Sequence, residues 1–190
     1  MTKHSICVYC GARPGTRDIY MQTAEALGKG LATRGWRLVY GAGDVGLMGA
    51  VARAAQAARG ETFGVIPTHL MRMEVGKTDL TSFIVTETMH ERKKVMLMNA
   101  DAVAVLPGGA GSLDEFFEAL TWAQLGLHAK PIVLVNPEGY WDRLIALIDG
   151  IVEDGFADPS VRGLYSVAPS AEAALDTLRD ALSARNAETE

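Results

Sequence analysis

Short, continuously apolar runs alternate with stretches of helical hydrophobic period along almost the whole chain, and this alternation restricts the fold more than any other feature. The apolar runs occupy residues 6–10, 37–40, 63–66, 83–85, 102–106 and 132–135, with a weaker one at 165–168. Between them the pattern predicts helices over 18–33, 47–58, 89–99, 112–125, 140–152 and 171–184. A strand that is apolar at every position needs cover on both faces, and a helix after each strand supplies it. The expected fold is α/β: a single domain over residues 1–185, a parallel sheet of about seven strands, and helices on both faces. Residues 186–190 are expected to form a loose C-terminal tail. In such a sheet, ligands bind at the carboxyl ends of the strands, where the strand order reverses.

Composition narrows the partners. A chain of 190 residues, 48% hydrophobic and 22% charged, supports one sizeable core. Its net charge of -5 gives no general attraction to a nucleic-acid polymer or an acidic membrane, so any phosphate must be drawn by local fields. No apolar run approaches the roughly 20 residues of a membrane span, and residues 1–4 lead into a strand rather than a signal peptide. A cytoplasmic location is expected. Cys7 and Cys10 form a C-x-x-C, but Cys7 lies inside a strand, whereas redox pairs open a helix, so both read as buried or loop thiols. No metal site and no cofactor is expected.

Three glycine-bearing turns follow strands. The run Pro107-Gly108-Gly109-Ala110-Gly111-Ser112-Leu113-Asp114-Glu115 leaves the strand at 102–106 and opens a helix. Its glycines permit close backbone approach, and the helix start aims unpaired N–H groups and a partial positive charge at the gap, which suits phosphate. Ser112-x-x-Glu115 also fits a capping box, and spacing leaves both readings open. Gly41-Ala42-Gly43-Asp44-Val45-Gly46 matches G-x-G-x-x-G between strand and helix. The acid expected at the end of the next strand is replaced by Pro67-Thr68, so a mononucleotide or phosphate loop is favoured over a dinucleotide site. The loop from Gly11 to Arg17 reads either as a third wall of the same crevice or as a plain turn.

Arg92 and Lys93 are consecutive on a predicted helix, about 100° apart, so one contact does not serve both. By composition such a pair reads as a solvated face. His4, His69, His90 and His128 form no defensible triad. Glu115, placed in a first helical turn, is expected to stay ionised because the helix dipole favours its anion.

Arg92-Lys93 followed by Pro107-Gly108-Gly109-x-Gly111-Ser112-x-x-Glu115 resembles the LOG, or "Lonely Guy", cytokinin riboside 5′-monophosphate phosphoribohydrolases. Further blocks look like the family's in the family's order: Cys7 to Gly11, Tyr40 to Gly49, Gly64 to Pro67, Met89 to Lys93 and Thr121 to Gly126. Such proteins have often been labelled lysine decarboxylases, but no supporting pyridoxal-phosphate motif is found in the chain. The resemblance implies a modified Rossmann fold, a homodimer with a site near the interface, and hydrolysis of a nucleoside 5′-monophosphate to purine base and ribose 5-phosphate. Carried over, it makes Arg92 and Glu115 catalytic. It places Glu74, Met89, Lys93, Gly108, Gly109, Gly111, Ser112, Thr121, Gly11 and Gly43 around the substrate. Ser112 stands where threonine is usual, and Ala42 where the middle of three glycines is usual. Two other readings stay open: an AMP nucleosidase without a hormone role, and a noncatalytic carrier of a nucleotide or molybdenum cofactor.

Overall fold

The computed structural model describes residues 4–71 and 78–189. At its centre lies β1 (Ser5–Tyr9), buried at every position. It pairs in parallel with β2 (Arg37–Tyr40) on one side and β5 (Ala102–Val105) on the other. Outward from β2 stand β3 (Thr62–Pro67) and β4 (Ser82–Thr86). Outward from β5 stand β6 (Ile132–Val135) and β7 (Ser166–Ala168). The seven strands are all parallel, in the order β4-β3-β2-β1-β5-β6-β7. Every apolar run becomes a strand, with its ends moved by at most one residue.

Successive side chains of a strand point to opposite faces, so each continuous apolar run feeds two cores. Ile6, Val8, Leu38, Tyr40 and Ala104 face α1 (Asp18–Thr33), α2 (Gly46–Ala57) and α7 (Ala171–Thr189). Cys7, Tyr9, Val39, Val103 and Val105 face α4 (Met89–Met98), α5 (Ala110–Gln124) and α6 (Asp142–Glu153). A one-turn helix, α3 (Thr68–Met71), follows β3. The last helix runs to Thr189, through most of the segment expected as a tail, because Ala187 and Glu188 are good helix formers and extend a helix already begun.

Two helix N-termini are capped otherwise than the sequence suggested. α5 begins at Ala110 behind Gly109, with no side-chain cap, so of the two readings left open for Ser112 and Glu115 the capping box does not form. The capping box lies on α4 instead: the Glu91 amide donates to the Thr88 hydroxyl at 3.2 Å, and the Thr88 amide donates to the Glu91 carboxylate at 3.0 Å. Glu115 is thereby released from a local structural duty.

The chain builds outward from β1 through β2 and β3 to β4, then crosses back to β5 beside β1. The connections leaving β1 and β5 depart in opposite directions, and a crevice opens between them at the carboxyl edge of the sheet.

Candidate active site

A cavity of about 500 Å³ occupies that crevice. Its rim is built by three interlocked loops. The Gly11 amide donates to the Pro107 carbonyl at 3.0 Å, and the Leu47 amide donates to the Gly11 carbonyl at 3.0 Å. These bonds bring the loops after β1, β2 and β5 to one point. At Gly108 a Cβ would lie 2.0 Å from the Ser112 Oγ, so only glycine lets the loop fold back on its own helix. The Tyr140 hydroxyl donates to the Gly108 carbonyl at 2.6 Å, and its ring meets Tyr20 edge-on at 5.3 Å. The first intrahelical bond of α5 runs from the Leu113 amide to the Gly109 carbonyl, at 3.1 Å. Amides ahead of it lack an intrahelical acceptor, and Gly109, Gly111 and Ser112 line the cavity, so the positive helix end faces the space.

Arg92 reaches this space from α4 and is only 6% exposed, while its neighbour Lys93 is 4% exposed. The expected solvated face is thus corrected: both charges are buried because both have partners that replace water. Arg92 Nε donates to the Val65 carbonyl at 3.1 Å and Nη2 to the Gly41 carbonyl at 2.8 Å. A Cβ at residue 41 would stand 1.9 Å from Nη2, so glycine there is what admits the guanidinium. The glycine loop expected to hold phosphate therefore holds an arginine. Nη1 lies 3.9 Å from the Met89 sulfur, and Met89 and Arg92 both line the cavity.

Glu115 enters from α5 and is half-buried. Burial raises its carboxyl from the ordinary 4.5 to about 7, against the pull of Arg92 and Lys93 and with a further push from Asp114 and Glu118. The expectation that the helix dipole would keep it fully ionised is corrected, because desolvation outweighs the dipole.

Of the other residues predicted for the site, Gly11, Gly108, Gly109, Gly111, Ser112 and Met89 line the cavity. Gly43 is buried in its loop and Thr121 is exposed on α5; neither is among the lining residues. Lys93 is not among them either; its Nζ sits 3.0 Å from Asp114 Oδ2 and 2.8 Å from Glu118 Oε2. Glu74 lies outside the described residues. No histidine is among the described lining residues. Cys10 lines the cavity and Cys7 is core; both are free thiols, as expected, and burial pushes both up, away from the reactive thiolate. Sequence reasoning missed Tyr140, Tyr20 and Leu70 as lining residues, whereas Arg13 lies in the loop read as a possible third wall. For Tyr140 a signal existed: it closely follows β6, on the ligand-binding edge.

Residues 48–178 match the family described as "Possible lysine decarboxylase". The chain is 46% identical over 175 residues to a probable cytokinin riboside 5′-monophosphate phosphoribohydrolase of Oryza sativa subsp. japonica, covering 92% of this chain and 77% of that protein. It is 43% identical over 167 residues to a cytokinin riboside 5′-monophosphate phosphoribohydrolase of Arabidopsis thaliana, covering 88% and 73%. With the protein of the same description from Mycobacterium tuberculosis the identity is 43% over 180 residues, covering 95% and 92%. Among solved structures, the molybdenum cofactor carrier protein of Chlamydomonas reinhardtii superposes with a TM-score of 0.74 at 24% identity, covering 96% of this chain and 99% of that one. At that identity the likeness concerns the fold.

Proposed function

Because this chain belongs to the family of cytokinin riboside 5′-monophosphate phosphoribohydrolases, also described as possible lysine decarboxylases, we propose that it hydrolyses the N-glycosidic bond of N6-modified adenosine 5′-monophosphates. The products are the free base and ribose 5-phosphate. The observation that carries this reading is the placing of Arg92 and Glu115 on one cavity whose wall is the amide-lined start of α5.

In this reading the 5′-phosphate rests on the amides from Gly108 to Ser112, where the helix end stabilises an anion without a protein cation. Ribose C1′ then lies toward Glu115. As the C1′–N9 bond breaks, the sugar gains positive charge and the base gains electrons; a water oxygen bonds to C1′ and a proton passes to the base. Ionised Glu115 stabilises the cationic sugar and orients the water. A carboxylate poised at about 7 is a base matched to neutral pH. Arg92, fixed by two carbonyls, holds substrate and stabilises charge; a guanidinium does not readily give up a proton.

Amine chemistry on a pyridoxal cofactor needs a lysine at the reacting centre. Among the described lining residues there is none, and Lys93 is paired with two carboxylates. A plain AMP nucleosidase shares the mechanism and differs in the base pocket. Leu70, Met48, Met89 and Met96 give the cavity an apolar side, which favours a base carrying an apolar N6 substituent. Such a pocket distinguishes a prenyl group by a few kcal/mol.

Release of the free base from isopentenyladenosine monophosphate, from its dephosphorylated riboside and from AMP tests the reading. Turnover is expected with the first, none with the second, and slower turnover with AMP. Equal rates on monophosphate and riboside remove the phosphate cradle from the mechanism; tight binding without turnover would mark a carrier.

The proposal includes a homodimer located in the cytoplasm. The edge strand β4 exposes Ile84 and Val85, and α4 ends on Met98, 68% exposed, which supports an apolar contact between copies. Two free thiols and a nucleotide substrate accord with a reducing compartment. Among the described residues no helix is long and apolar enough to cross a membrane.

A further inference from the structure

We propose that Lys93 is a positioning residue for Glu115, clamping the start of α5 to α4 through Asp114 and Glu118, rather than a contact to the nucleotide. The inference rests on the function proposed above, and it concerns how that site is kept in shape.

Lys93 is buried, and its ammonium lies within 3.0 Å of Asp114 Oδ2 and 2.8 Å of Glu118 Oε2. Asp114 precedes Glu115 by one residue and Glu118 follows it by three, so the two contacts straddle Glu115 along the helix. Arg92, the preceding residue on α4, is tied to the carbonyls of Val65 and Gly41 on the other side. Consecutive helical positions diverge by about 100°, and the two cations use that divergence. One joins α4 to strand β3 and to the loop after β2, the other joins α4 to α5. Any slip of α5 along α4 therefore changes the separation of Arg92 and Glu115 at once.

The same ammonium sets the local field. Facing Glu115 are Arg92 and Lys93 from α4, Asp114 and Glu118 on its own helix, and Cys7, Tyr9 and Cys10 from β1 and its exit. Burial keeps the β1 and Cys10 groups neutral. Removing the ammonium leaves two carboxylates uncompensated beside a third, and like charge holds a proton on Glu115.

The test compares Lys93→Met, Lys93→Arg and the triple variant Lys93→Met/Asp114→Asn/Glu118→Gln. Readouts are kcat and KM against pH, and 13C NMR titration of the Glu115 carboxyl, assigned with Glu115→Gln. Lys93→Met is expected to lower kcat about 10- to 100-fold, with KM within about 3-fold, and to move the acid limb and the NMR midpoint up by about one pH unit. Arginine, which can still bridge two carboxylates, is expected to restore most of kcat. The triple variant is expected to bring the midpoint back down, to slightly below its original place, while kcat stays low, because two carboxylates and one ammonium are gone and the clamp is too.

A KM raised more than about 10-fold with kcat and midpoint unchanged would overturn the proposal in favour of substrate contact. A folded Lys93→Met protein with unaltered kcat and midpoint would overturn it as well. Should Lys93→Met not fold, Glu118→Gln serves in its place: it is expected to lower kcat and to move the midpoint down, and an unchanged kcat sinks the clamp. If the unaltered protein releases no ribose 5-phosphate, the functional reading fails, while the NMR midpoints still decide whether Lys93 controls Glu115.

Discussion

Glu115 condenses the chemistry of this site into one side chain. With its carboxyl raised from 4.5 to about 7, the folded chain binds a proton that the unfolded chain has already lost between those two values. Stability therefore falls as pH rises through that window and stays lower above it. Glu115→Gln removes the effect and leaves the shape: the variant is expected to be more stable than the unaltered protein by as much as about 3 kcal/mol at pH 8, and by under about 1 kcal/mol at pH 5. Urea denaturation at the two pH values measures this; equal midpoints at pH 8 would contradict the raised carboxyl. The same substitution is expected to lower kcat by a factor of about 100 to 10,000 while ribose 5-phosphate still binds. For the unaltered enzyme kcat/KM is expected to rise with pH through about 7 as the carboxylate forms. A site whose residue costs stability where it is active is what a functional burial of charge looks like.

At the scale of elements, the loop from β5 into α5 is shaped by contacts from elsewhere in the chain. Tyr140 fixes the Gly108 carbonyl from beyond β6, and Gly11 and Pro107 join the loops of two strands. Tyr140→Phe keeps the ring on Tyr20 but removes a hydrogen bond, a change of about 1 kcal/mol. Its expected result is a KM for the monophosphate raised about 3- to 10-fold with kcat nearly unchanged, measured by steady-state kinetics, because the cradle rather than the reacting centre loosens. An equal loss in kcat with KM preserved would place Tyr140 at the chemistry instead. The turns themselves were readable, since a strand ending in glycines before a helix has one common use. Which of the three turns stays open to an anion was not, because Arg92 fills the Gly41 loop from 51 residues away.

The whole molecule contributes the crevice. Only the order in which the strands lie side by side brings β1 next to β5, and with them the loops at Gly11 and Gly108. Ligand that binds only this assembled crevice stabilises the entire domain: ribose 5-phosphate at 100 times its Kd is expected to add about 2.7 kcal/mol to unfolding, read as a raised Tm. Ribose without phosphate should add almost nothing. Light scattering coupled to gel filtration checks the proposed dimer, and replacing the exposed Met98, Ile84 and Val85 with charged residues is expected to shift the mass to that of one chain.

The amino-acid order alone determined the seven strands, the helices between them and the glycine turns, because burial on two faces and helical amphipathicity leave local periodic marks. It also marked Arg92, Lys93 and Glu115, but misjudged their state. Read locally, two adjacent cations belong in water and a first-turn carboxylate belongs ionised. Whether a charge is buried depends on partners distant in the chain: Gly41 and Val65 for Arg92, Asp114 and Glu118 for Lys93. Desolvation of Glu115 likewise comes from elements packed around it. Only the tertiary structure assembles those partners, and so only it decided which residues face the cavity and which lie behind them.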